Sequence, residues 1–113
     1  MTVRAGETLS ISGRLSRDSA GTFIGAGDFE PQMRTTLGNL DRVLEHFGAR
    51  RDQIVETTVL VRGLRDHFDT VARLHAAYCG DHRPTSTVMG VSGLALPDRL
   101  VEIGAVVRLD AGH

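Results

Sequence analysis

Residues 54 to 62 read Ile-Val-Glu-Thr-Thr-Val-Leu-Val-Arg, a run rich in β-branched side chains that lies between two stretches of helical periodicity. A run of this kind predicts a strand. The stretch before it carries Phe29, Met33, Leu37, Leu40, Val43, Leu44 and Phe47 at helical spacing. Asp28 is placed to cap that helix, Pro31 sits in its first turn, and Gly48 lies just past its end. The stretch after the run predicts a second helix from about Asp66 to Cys79, burying Phe68, Val71, Leu74 and Tyr78 and stopped by Gly80. A strand held between two amphipathic helices needs partner strands. Thr8 to Ser12, Thr85 to Val91 and Leu100 to Leu109 provide them, with Thr22-Phe23-Ile24 as a candidate for a further short one. The order is that of an α+β fold, a single sheet with both helices on one face. One hundred and thirteen residues make one domain, 1–113, with no repeat or linker.

Sorting the strands by side-chain parity divides the sheet into two faces. Leu9, Ile11, Val55, Val59, Val61, Met89, Val91, Val101, Ile103, Ala105 and Val107 form the set expected under the helices. The other face mixes Thr8, Ser10, Ser12, Glu56, Thr58, Leu60, Ser86, Val88, Gly90, Leu100, Glu102, Gly104 and Val106. That second face is neither core nor ordinary solvent surface. It is expected to pack on copies of itself, leaving clefts between subunits.

Composition removes several function classes. A net charge of −1 argues against nucleic acid as the main partner, because phosphate binding needs a concentrated basic surface. All thirteen cations are arginine, and without lysine there is no Schiff-base chemistry. One cysteine excludes an internal disulfide, and Cys79 reads as a small apolar residue at a helix end. Of the five histidines only His75 and His82 approach a metal spacing, and surface histidines are the simpler reading. Arg50-Arg51 reads as a solvated charge pair. Gly25-Ala26-Gly27 lacks the third glycine of a nucleotide fingerprint. No apolar run approaches the ~20 residues that span a bilayer, and the N-terminus shows no apolar signal region, so no membrane partner and a cytoplasmic location are expected.

Glu102 stands out. It lies mid-strand among Leu100, Gly104 and Val106, where an ionised carboxylate is costly unless it is paired or faces a wet cleft. Either a neighbouring subunit satisfies it, or it is an acid or base that positions water.

Ser10-Ile11-Ser12-Gly13, Asp28-Phe29 with Gln32, Leu37 with Asn39, Leu40 and Leu44, and the run Ile54 to Val61 together resemble the Rid family (YjgF/YER057c/UK114). Pro84 with Ser86-Thr87-Val88, then Leu96-Pro97 and Val101-Glu102-Ile103, continue the match from Thr8 to Leu109 in order. The resemblance implies a chorismate-mutase-like homotrimer with the ferredoxin-like element order β-β-α-β-α-β-β and three intersubunit clefts. It further implies hydrolysis of reactive imines and enamines of 2-oxo acids, without metal or organic cofactor. Glu102 matches the family's water-positioning glutamate. Gly21 falls about where a loop glycine contacts the substrate, and Val88 takes a position that often holds cysteine. Ribonuclease activity, sometimes ascribed to the family, is disfavoured by the charge balance and only five aromatic residues.

One departure bears on the substrate. Ser86 stands where the deaminase branch has an arginine that grips the substrate carboxylate through two hydrogen bonds. Losing it removes charge-assisted bonds that contribute ~1.5–3 kcal/mol each. Arg14 or Arg83 are the candidates to replace it. His75 stands where tyrosine is common, and Ser92 to Leu96 form a longer, more apolar loop. The expected ligand is therefore a small imine or enamine other than the usual 2-imino acid. A non-catalytic trimer that binds a small ligand or a partner protein in the same cleft is the alternative.

Overall fold

Among the described residues, five strands form one mixed sheet backed by two helices. A computed structural model describes residues 2–14, 27–94 and 98–111, with Arg14 described by its backbone alone. In chain order the elements are β1 (Thr2–Ala5), β2 (Thr8–Arg14), α1 (Phe29–His46), β3 (Ile54–Arg62), α2 (Leu64–Cys79), β4 (Thr85–Val91) and β5 (Val101–Arg108). A 3-10 turn, Arg51–Gln53, precedes β3. The sheet order is β1-β2-β5-β3-β4. All pairs are antiparallel except β3–β4, which is parallel. Parallel neighbours cannot be joined by a tight turn, and α2 makes the crossover.

The core lies between the helices and one sheet face. Met33, Leu37, Leu40 and Leu44 of α1 and Val71, Leu74 and Tyr78 of α2 meet Leu9, Ile11, Val59, Val61, Val101, Ile103, Ala105 and Val107. Gln32 is fully buried in α1 and clamps the entry to β5: its Nε2 donates to the Asp98 carbonyl at 2.9 Å, and its Oε1 accepts from the Leu100 amide at 2.8 Å. Gln53 does the same at the other end of the sheet, donating to the carbonyls of Leu109 and Ala111.

The structure corrects several expectations. The order β-β-α-β-α-β-β is the expected one, but its first strand was not anticipated at Thr2–Ala5; Gly6, at φ +60°, opens the two-residue turn that folds it onto β2. Thr22-Phe23-Ile24 lies outside the described residues. Asp28 occupies the cap position of α1, but its side chain makes no capping hydrogen bond. Val55 is 37% exposed while Ile54 is buried. A bulge in the β3–β5 pairing between Ile54 and Glu56 takes up one residue and reverses the parity there.

In β4 the expected faces are exchanged. The parallel register sets Ser86 beside Thr57, Val88 beside Val59 and Gly90 beside Val61, so 86, 88 and 90 face the helices. Met89 is instead 47% exposed. Gly90 lies on the helix side as well: a Cβ there would sit 3.3 Å from the Leu64 Cβ, a close approach to the first turn of α2. Phe68 is 53% exposed rather than buried. The neighbouring His67 faces α1, stacking on Phe29 with ring centroids 4.3 Å apart, and the next position along the helix lies on a different flank.

Candidate functional site

The sheet face opposite α1 and α2 holds a recess of about 180 Å³. Ser10, Ser12, Gly13, Glu56, Thr58, Leu60, Glu102, Gly104 and Val106 line it. Glu102 is directly opposite Leu60 in the β3–β5 ladder, and Glu56 is opposite Val106. Their places in that ladder, at positions 56 and 60 of β3, are four residue steps apart, roughly 13 Å along the strand. Within one chain the two carboxylates are too far apart to share a proton.

Its position is set by a glycine. The β2–β5 register slips between Ile11 and Arg14, where three steps on β2 face two on β5. This bulge brings Gly13 against Glu102: a Cβ on Gly13 would lie 1.7 Å from Glu102 Oε1 and 2.2 Å from its Cδ. No other residue at 13 leaves the carboxylate where it is. The sequence showed Gly13 only as the end of a strand, whereas β2 continues through it to Arg14.

Ser86 belongs to a different place. It lies on β4, an edge strand, on the helix side of the sheet. Its Oγ is 2.8 Å from Thr57 Oγ1, which in turn is 2.9 Å from His75 Nε2. Thr57 is 1% exposed, and its polarity in the apolar parity of β3 was the overlooked signal of this cluster. Burial, and secondarily the charge of Arg83, hold the His75 imidazole below its ordinary 6.5. Cys79 sits at the end of α2 next to the same ring, its thiol pushed upward by burial.

Within one chain, therefore, the expected site residues do not converge. Glu102 is on the open face of β5, whereas Ser86 and Val88 are on the helix side of β4, with Val88 packed against the core. Gly21 and the side chain of Arg14 lie outside what the structure describes. Arg83 is exposed in the connection before β4. His82 is not a free surface histidine; its Nε2 meets the Ile54 carbonyl oxygen. Nor is Arg51 a merely solvated cation. It forms two bonds to Asp41 and lies 4.1 Å above the Tyr78 ring. Among the described residues no group of three His, Cys, Asp or Glu is placed to hold a metal, and no helix is long and apolar enough to cross a membrane.

The family model described as endoribonuclease L-PSP matches residues 1–109. The chain belongs to this family. Its members include proteins called Rid, YjgF and RutC. A RutC family protein of Pyrococcus horikoshii is 31% identical over 104 residues, covering 92% of this chain and 81% of that one. A mouse 2-iminobutanoate/2-iminopropanoate deaminase is 31% identical over 105 residues, covering 92% and 76%. The crystal structure of a Rid family protein of unknown function from Yersinia pestis superposes with a TM-score of 0.84 at 31% identity, covering 93% and 80%. The match to the L-PSP family takes in both Ser86 and Glu102.

Proposed function

We propose that this L-PSP family chain hydrolyses a small imine or enamine to a carbonyl compound and ammonia, in clefts formed between copies of itself. The observation that carries this reading is the Glu102 carboxylate lying over Gly13 in the recess of the uncovered face. A carboxylate held there accepts a hydrogen bond from a water molecule and presents its oxygen to an electrophilic carbon. Water adds to the C=N carbon, the adduct collapses to the carbonyl, and the nitrogen leaves as ammonia. Relatives named as iminobutanoate and iminopropanoate deaminases support the reaction class.

A chorismate-mutase-like trimer fits the same facts. Leu60 and Val106 are half-buried in a single chain on a face that no helix of the described residues covers, and Met89 adds exposed apolar surface. Ser86 and Glu102 lie on opposite sides of the sheet, so one ligand touches both only if the β4 edge of one copy meets the open face of another. With Ser86 in place of an arginine, the fitting substrate is an imine of low charge.

The test is carbonyl release from 2-iminopropanoate and from an uncharged imine of similar size, each formed in place by an oxidase. The uncharged imine is expected to be turned over faster, and Glu102→Gln to reduce that turnover at least tenfold. Full activity in Glu102→Gln removes Glu102 from the reaction. Thermal stabilisation by a ligand that is never consumed would favour a binding protein instead.

A further inference from the structure

His75, Thr57 and Ser86 make a continuous line of hydrogen-bonding atoms from the interior side of α2 to the edge of the sheet. The distances are 2.9 Å from His75 Nε2 to Thr57 Oγ1 and 2.8 Å from there to Ser86 Oγ. The direct gap from Ser86 Oγ to Nε2 is 3.5 Å, so Thr57 is the shorter route. A more distant acceptor for the Ser86 proton, the Pro84 carbonyl oxygen, is 3.4 Å away. Ser86 is exposed and Thr57 is not. The line thus has a wet end and a dry end.

We propose that this line is a proton path, with His75 as the base and Ser86 as the group that meets the ligand. Thr57 and His75 act through Ser86 as positioning residues. Burial and Arg83 favour the neutral ring, which is the form that can accept a proton. Among the described residues, the charged and titratable neighbours of the ring are Cys79 and Arg83. Cys79 on α2 itself has its Sγ 3.8 Å from Nδ1 and 3.9 Å from Nε2, and Arg83 comes from the α2–β4 connection. β3 and β4 bring only the two hydroxyls to it.

For its reaction the inference rests on the imine-hydrolase reading. The water adduct, protonated on nitrogen by solvent, must lose its hydroxyl proton as it collapses. Ser86 Oγ takes that proton while passing its own to Thr57, and Thr57 passes its own to Nε2. The C=O bond forms, the C–N bond breaks, and ammonia leaves with the electron pair of that bond. His75 then returns the proton to water, so the protein ends as it began. A hydroxyl on this path makes no ion pair, and the ligand class it suits is an uncharged imine or enamine.

Two measurements test this on the intact protein. Nitrogen-15 spectra of the histidines report the tautomer of His75 whether or not any substrate is known. The neutral ring is expected to carry its hydrogen on Nδ1, with Nε2 accepting; Thr57→Val should raise the Nε2–H population, and Thr57→Ser should restore the wild-type spectrum. An Nε2–H tautomer in the wild-type protein overturns the path. Turnover of the uncharged imine is the second readout. Thr57→Val is expected to lower kcat at least tenfold with KM within twofold, Thr57→Ser to recover most of it, and His75→Gln to abolish the fall in rate on the acid side. Equal kcat in wild type and in a folded Thr57→Val protein overturns the path. No turnover by the wild type overturns the imine-hydrolase reading and leaves the tautomer to decide the path.

Discussion

At the scale of the residue, the most consequential position is one with no side chain. Alanine at 13 would put a Cβ 1.7 Å from Glu102 Oε1, but the clash is with the far end of a flexible side chain. Glu102 should change rotamer at a cost of up to about 1 kcal/mol, leaving the fold intact. We expect Gly13→Ala to lower turnover about a hundredfold, as displacements of an ångström at a reacting group do, with a melting temperature close to wild type. Paired kinetics and calorimetry check this. Gln32 is the opposite case. Truncating it to alanine leaves the Asp98 carbonyl and the Leu100 amide without their buried partner, for an expected loss of about 1–3 kcal/mol in urea unfolding.

At the scale of the element, legibility followed how many faces each strand buries and whether its register is regular. β5 alternates Val101, Ile103, Ala105 and Val107 with less buried residues, and its faces were readable directly. β4 carries small or polar side chains on both faces, so parity alone could not orient it, and assigning Met89 inward placed Ser86 in the wrong setting. The bulges at Gly13 and Val55 were equally invisible, because an extra residue leaves no mark on composition. The carboxylate of the site was legible; what surrounds it was not. Between elements, Asp41 ties α1 to the 3-10 turn and to α2 by accepting from Arg51 and from the Tyr78 hydroxyl at 2.7 Å. Burial pushes Asp41 up, but its bonds to Arg51 and Tyr78 outweigh this and hold it below the ordinary 3.8. A carboxylate lowered in the folded state adds stability that is present above its unfolded value and lost as pH falls through the folded one. Wild-type stability should therefore drop faster than that of Asp41→Asn below about pH 4, which acid titrations of the two proteins followed by circular dichroism would show.

At the scale of the whole molecule, among the described residues the sheet has a face with no helix and an outer strand, β4, with no neighbour on its far side. Sedimentation at micromolar concentration is expected to give a trimer, and a monomer would remove the proposed clefts. The placement of Ser86 and Glu102 on opposite sides of the sheet has a genetic consequence. If each working cleft takes its serine from one chain and its glutamate from another, two dead proteins can repair each other. Ser86→Ala and Glu102→Gln chains, unfolded together and refolded as a mixture, would carry an unblemished pair at about one interface in four. Activity would return in the tube from two preparations that separately have little, a rescue that a site confined to one chain can never show.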